Sequence, residues 1–296
     1  MSQFCEDRVC IVTGAGRGIG KAYALMLASH GARVVVNDLG GSRDGTGHDE
    51  NPAQQVVDEI EAAGGQAVAN GSDVSSWVGA KQMIQQAIDT YGHLDVLVNN
   101  AGILRNHMLV EMEEQDWDAV IQVHLKGTFA PARHAARYWV EHSKAGIPVD
   151  ARIINTTSVV GLYGLPGLSN YGAAKAGIVA FTIIAARELA SHGITVNCVA
   201  PIALTRLTED LELGLDSEEA KDRMHPRWVA PIVTWLASGE SSTVTGRVFE
   251  ASGATLAIAE GWHRGPRVEP IEDPTTLGPI VAEMVAAARP DAGTEA

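Results

Sequence analysis

What this chain of 296 residues has little of narrows its chemistry first. It carries 3 cysteines, Cys5, Cys10 and Cys198, at spacings that match no metal-ligand pattern, and Cys10 and Cys198 lie inside apolar strand-like runs. A disulfide framework and a thiolate metal centre are therefore excluded, and the thiols read as reduced core residues of a cytoplasmic protein. No apolar run approaches the roughly 20 residues that span a bilayer, and strand-like sequence begins within about eight residues of the start, so neither a membrane span nor a secretory leader is expected. Positive charge is scarce. With 22 Lys and Arg against 36 Asp and Glu, the net charge is −14, and no basic run exists. Nucleic acid and anionic membrane are poor partners for such a chain. No internal repeat is present.

What remains is a hydrophobic content of 46%, enough to bury one α/β core at this length. Apolar strand-like runs (RVCIVT, RVVVND, AVANGSD, LDVLVNN, RIINTTS, ITVNCVA and RVFEAS) alternate with helical ones. That alternation predicts a parallel, doubly wound α/β sheet with helices on both faces. A single domain over 1–261 is expected, followed by a tail over 262–296. Within the tail, LGPIVAEMVAAAR has apolar residues at helical spacing. It reads either as a docked surface helix or as an arm for a neighbouring subunit. The polar loop GGSRDGTGHDENP reads as a solvated insertion.

Ser158, Tyr171 and Lys175 carry the chemistry. Tyr171 and Lys175 lie four apart in a stretch of helical composition, so both side chains fall on one face. An ammonium about 4 Å from a phenolate, at an effective dielectric near 20, interacts by roughly 4 kcal/mol, or about three pKa units. A tyrosine so tuned serves as acid or base at physiological pH. Ser158 ends the buried-strand run ARIINTTS and can meet the phenol at the strand's carboxyl end.

A nucleotide fingerprint stands at the other end of the chain. TGAGRGIG over 13–20 follows a strand-like run and opens a helix-like one. Gly14, Gly18 and Gly20 let backbone approach a pyrophosphate, and the helix start offers unpaired N–H groups. Asp38 ends the second strand about twenty residues on, where a carboxylate can accept bonds from the adenosine ribose hydroxyls. A 2′-phosphate would meet that carboxylate, so NAD is favoured over NADP. Arg17, inside the glycine loop, is the one residue that could salt-bridge such a phosphate.

These motifs together, with NNAG at 99–102 and PIALT at 201–205, resemble the short-chain dehydrogenase/reductase family over about residues 5–260. The resemblance implies a Rossmann-type fold and NAD chemistry that interconverts a secondary alcohol and a ketone. Carried onto this chain, it implies Tyr171 as the acid/base, Lys175 on the nicotinamide ribose and lowering the tyrosine pKa, and Ser158 on the substrate oxygen. Gly14, Arg17, Gly18, Ile19 and Gly20 would form the pyrophosphate loop. Asp73 and Val74 match the adenine-contacting pair, and Asn100, Ala101 and Gly102 the segment along the adenosine ribose. Ile202 and Thr205 match the loop at the carboxamide, although the usual Pro-Gly is here Pro201-Ile202.

A second departure is His124, in VHLKGTF, where the family normally has asparagine. Either a packed helix histidine or a direct role is open to it. VVNDLGG, NNAGILR and WVAPIVTWL narrow the resemblance to the dehydrogenase units of type 2 multifunctional enzymes. That implies a 3-hydroxyacyl-CoA substrate, with or without a steroid side chain, a free hydroxysteroid as runner-up, and an NADPH-dependent carrier-bound ketoacyl reductase as a further alternative. Arg43, Arg105 and His107 are the candidates for a basic patch under CoA. A homodimer or homotetramer is expected across the helices near 117–140 and 171–190.

Overall fold

β-Branched and apolar residues build a sheet whose central strands are covered on both faces. The computed structural model describes residues 3–47, 51–205 and 217–289. Within them, β1 (Val9–Thr13), β2 (Arg33–Asn37), β3 (Gln66–Asn70), β4 (Val96–Asn99), β5 (Ala151–Thr156), β6 (Ile194–Pro201) and β7 (Val248–Ala251) run parallel, in the order β3-β2-β1-β4-β5-β6-β7. An eighth strand, β8 (Leu256–Ile258), pairs antiparallel with β7 at the edge. It was not anticipated: three residues, with Leu256 66% and Ile258 55% exposed, carry no alternation to read.

The pleat divides each strand between two cores. In β1, Cys10 and Val12 pack into one core with α1 (Gly18–Ser29), α2 (Asn51–Ala62) and α9 (Ala230–Ala237). Val9 and Ile11 pack into the other, with α3 (Trp77–Tyr91), α5 (Gly127–Lys144) and α7 (Ser169–Leu189). The expected doubly wound sheet is thus observed, and it explains why the strands read as continuous apolar runs rather than as alternating ones. Each fully buried Val, Ile or Leu contributes on the order of 2 kcal/mol by leaving water.

Two features of the topology position the site. Strand order reverses beside β1, which has β2 on one side and β4 on the other, and the crevice above such a reversal is where open α/β sheets bind ligands. Between α4 (Glu114–Ile121) and α5, one π-helical turn, Gln122–Lys126, interrupts an otherwise continuous helix. The short α6 (Val159–Tyr163) follows β5 and leads into α7. After α8 (Glu218–Arg223) and β8, the last element among the described residues is α10 (Leu277–Ala287), a helix without a single buried residue.

Candidate active site

The glycine loop folds back so tightly on the start of α1 that Gly14, Gly16 and Gly20 have no room for a side chain. A Cβ on Gly20 would fall 2.2 Å from the Gly14 carbonyl oxygen, and Gly14 itself has a φ of +62°. Asn100, at the end of β4, clasps this loop. Its Nδ2 donates to the carbonyls of Thr13 and Gly14 at 2.9 and 3.2 Å, while its own N–H donates to Thr13 Oγ1 at 2.9 Å. The Asn100 side chain therefore holds the loop rather than reaching into the crevice. Asp38 is fixed on both oxygens: Gly16 N–H donates to Oδ2 at 2.8 Å and Gly40 N–H to Oδ1 at 2.7 Å.

Around these groups lies a cleft that is open to solvent. Of the residues singled out in the sequence, Gly14, Arg17, Gly18, Ile19, Gly20, Asp38, Asp73, Val74, Asn100, Ala101, Gly102 and Thr205 line it. Ile202 does not; its N–H is tied to Ala251 O at 2.9 Å. Asp73 Oδ1 is occupied by the N–H and hydroxyl of Ser75, both at 2.8 Å.

The loop after Asp38 is a wall of the cleft, which corrects its reading as a solvated insertion. Leu39, Gly41, Ser42 and Gly45 line the cavity. Leu104 N–H donates to Arg43 O at 3.0 Å and Arg105 Nε to Asp44 O at 3.0 Å, so the loop is latched to the segment after β4. Those latches are long-range, and the polar composition of the loop hid them. Its residues 48–50 lie outside the described residues.

Ser158, Tyr171 and Lys175 stand beyond the cleft's own lining, and Tyr171 packs in one cluster with Ile103 and Val123, which do line it. Ser158 caps α6, its Oγ accepting from Val160 N–H at 3.2 Å, and its hydroxyl stands beside the Tyr171 phenol, whose pKa it lowers. Tyr171 sits in the first turn of α7. Lys175, one turn on, is 3% exposed, and its Nζ donates to Thr156 O at 2.7 Å. Nζ is 5.5 Å from the Tyr171 ring centroid.

The expected lowering of the tyrosine pKa is not what this arrangement produces. Burial pushes the phenol above its ordinary value, opposed by the Ser158 hydrogen bond and tempered by the solvent access that Tyr171 retains. Burial also pulls Lys175 down to about 8, so the ammonium is itself weakened.

His124 lies on the π-helical turn and is 2% exposed. Its Nε2 is 2.7 Å from Ile103 O and 3.1 Å from Ile103 N, and its ring meets Tyr171 edge-on with centroids 5.1 Å apart. Burial, followed by the charge of Lys175, lowers its pKa to about 3, so the imidazole is neutral.

On the outer side, Asn170 ties the N-terminus of α7 down, its Nδ2 donating to Arg105 O at 3.0 Å and Asp116 O at 3.2 Å. Arg105 and His107 both face Asp116, at 3.3 and 3.6 Å, so they offer an anion less charge than their sequence suggests. Above Tyr171 the rim is apolar: Met108, Leu109, Val110 and Leu165 are exposed, and a backbone bridge from His107 to Leu168 joins the two loops that carry them.

A glycine loop at a helix start, an acid held at the end of the second strand, and a Ser, Tyr and Lys cluster beside one crevice define a nucleotide-dependent α/β oxidoreductase. The chain belongs to the short-chain dehydrogenase family, whose sequence pattern it matches over residues 8–213. It is 43% identical over 259 residues to the peroxisomal hydratase-dehydrogenase-epimerase of Neurospora crassa, an alignment covering 88% of this chain and 27% of that one. A hydroxyacyl-CoA dehydrogenase of Mycobacterium tuberculosis is 40% identical, with 97% of this chain and 91% of the relative covered. The crystal structure of a short chain dehydrogenase from Mycobacterium avium superposes with a TM-score of 0.88 at 50% identity, over 98% of both chains. The chain spans 27 to 55% of the first three multifunctional relatives it matches, among them one from Dictyostelium discoideum. It is an oxidoreductase acting on hydroxyl groups with a nicotinamide cofactor, and its residues fit that group: the loop in which a Cβ on Gly14, Gly16 or Gly20 would fall within 3.0 Å of a neighbouring atom opens at a helix N-terminus above the strand reversal.

Proposed function

We propose that the protein is an NAD-dependent dehydrogenase that interconverts a secondary alcohol and a ketone, with a 3-hydroxyacyl-CoA thioester as its substrate. The observation that carries this reading is the grouping of Ser158, at the carboxyl edge of β5, with the Tyr171 phenol in the first turn of α7 and Lys175 one turn behind, its Nζ 5.5 Å from the tyrosine ring. Gly14 to Gly20 would take the pyrophosphate, Asp38 the adenosine ribose, Asp73 and Val74 the adenine, Asn100 to Gly102 the ribose wall, Thr205 the carboxamide, and Lys175 the nicotinamide ribose. The bound nicotinamide supplies hydride acceptance and donation. Tyr171 takes the hydroxyl proton in the oxidative direction and returns it in the reductive one, at its phenol oxygen. Ser158 fixes the substrate oxygen beside that phenol by a second hydrogen bond.

The carboxylate at Asp38 supports NAD, because a 2′-phosphate would be pressed against it. The apolar rim of Met108, Leu109, Val110 and Leu165 supports an acyl or steroid-bearing chain, and the relatives named for hydroxyacyl-CoA chemistry support the thioester. Three buried thiols, Cys5, Cys10 and Cys198, support a reducing compartment, in keeping with the cytoplasm. Trp117, Phe129 and Ile184, 40%, 44% and 55% exposed on α4, α5 and α7, support a homo-oligomer built across those helices. A free hydroxysteroid suits the same apolar rim and is the second reading.

The test is a turnover screen of 3-hydroxyacyl-CoAs beside free hydroxysteroids, with NAD and NADP, read by nicotinamide absorbance. Preference for the thioesters is expected. Tyr171→Phe should then lower kcat by about a thousandfold or more while NAD still binds. Turnover retained within about tenfold would remove Tyr171 from its role.

A further inference from the structure

Tyr171 does not itself line the cofactor cleft, yet one buried side chain touches both. Gly102 and Ile103 line the cleft. His124 holds the Ile103 peptide through Nε2 and meets the Tyr171 ring edge-on. A Cβ on Gly102 would stand 2.3 Å from His124 Cε1. Gly102 has no left-handed φ, so the glycine is required by the imidazole and not by the backbone. The π-helical turn sets His124 where an uninterrupted α-helix would rotate it elsewhere, and such turns cluster at functional sites.

The imidazole also carries an unspent group. Of the two Nε2 contacts, the shorter, 2.7 Å to Ile103 O, fits Nε2–H donating to the carbonyl. Nδ1 is then a bare acceptor, and it is buried without a hydrogen-bond partner. An unsatisfied buried nitrogen costs about 1–3 kcal/mol, so a use for it is called for. Lys175 is close enough for its charge to act on the ring.

We propose that His124 is a positioning residue: a neutral imidazole that locks the cleft wall at Gly102–Ile103 to the edge of Tyr171 and offers Nδ1 as an acceptor to a donor beside Lys175. This rests on Tyr171 being the proton carrier. A charged imidazole could not serve, because both ring nitrogens would then be donors and Nδ1 could accept nothing.

The closing experiment compares His124→Phe, His124→Asn and Tyr171→Phe in NAD affinity, kcat and the pH profile of kcat, and follows the wild-type ring nitrogens by ¹⁵N NMR without and with NAD. His124→Phe keeps the ring's bulk and loses both polar functions. It should lower kcat by about tenfold or more, displace the pH profile and weaken NAD binding, with His124→Asn recovering part of each. In the wild-type protein, His124 should hold the Nε2–H tautomer unchanged between pH 5 and 8, and the Nδ1 signal should move when NAD binds. The inference is overturned if His124→Phe leaves kcat and the pH profile unaltered while Tyr171→Phe is inactive. It is also overturned if the ring titrates above pH 6, a result that stands even when no variant folds. Full activity of Tyr171→Phe would overturn instead the reading beneath it.

Discussion

Replacing Asp38 by asparagine tests the choice of cofactor with the least change of shape. The carboxylate cannot swing away from an incoming group, because Gly16 N–H and Gly40 N–H hold its two oxygens at 2.8 and 2.7 Å. A 2′-phosphate on the ribose would place one to two negative charges about 5 Å from it. At an effective dielectric of 20 each charge pair costs about 3 kcal/mol, and at 80 about 1, so a half-buried contact costs on the order of 2 kcal/mol. Hydrogen bonds to the free 2′-hydroxyl, lost with the phosphate, add about 1 kcal/mol more. At about 1.4 kcal/mol per tenfold, the wild-type preference for NAD in kcat/KM should be on the order of a hundredfold. Asp38→Asn removes the charge and leaves one oxygen, so kcat/KM with NADP should rise by about tenfold or more while that with NAD falls by less. One amide N–H also loses its acceptor, and stability should drop by about 1 kcal/mol. Initial rates with both cofactors at fixed alcohol give the ratio. A wild-type preference for NADP would refute the reasoning and assign the ribose site to Arg17.

Three further outcomes are expected. Ser158→Ala should move the limb of the oxidative pH profile that reports Tyr171 upward, because the Ser158 hydrogen bond lowers that pKa, and it should slow turnover; an unmoved limb would separate the serine from the phenol. Lys175→Met should be inactive yet more stable at neutral pH. Lys175 falls from 10.5 to about 8, so its buried charge destabilises the native state fully below pH 8, and the penalty fades as pH rises towards 10.5. The gain at pH 7 is on the order of 2 kcal/mol after the lost Thr156 bond, measured by denaturant titration, and it should shrink above pH 8; a destabilised variant at pH 7 would contradict it. Light scattering at micromolar concentration should give a dimer or tetramer, and a monomer would leave Trp117, Phe129 and Ile184 unexplained.

Sequence pattern sufficed where local chemistry decides the structure. Seven strands, the glycine loop and the helix bearing Tyr171 and Lys175 follow from apolar runs, positive-φ glycines and a four-residue spacing, and the loop after each strand then faces one edge. Long-range contacts were illegible. The latch of Leu104 onto Arg43 joins residues about sixty apart, and composition alone makes that loop look solvated. Asn100 carried a motif, but its bonds to Thr13 and Gly14 depend on β1 and β4 being neighbours. The π-helical turn at His124 leaves no periodic signature over five residues, and Ile103 was missed because its part in the cleft depends on that histidine. Arg105 carries formal charge in sequence, which Asp116 offsets in space.

The four-residue spacing of Tyr171 and Lys175 does less electrostatic work than their chemistry suggests, and burial is the reason. Desolvation favours the neutral form of each: it raises the phenol and lowers the ammonium, so the pair of ions is the less favoured of its states. A phenolate here needs dipoles that cost no desolvation of their own. Ser158 provides one, through its hydroxyl. The N-terminus of α7 provides another, because Tyr171 lies in its first turn and helical side chains lean back towards the positive end. Lys175, pointed at Thr156 O, is proposed to hold a ligand hydroxyl as much as to tune the tyrosine. A lysine that served only the phenol would be replaceable by any fixed dipole, whereas one that also binds ribose would not. Lys175→Met should therefore weaken NAD binding as well as turnover, and unchanged NAD affinity in that variant would confine the lysine to the proton chemistry alone.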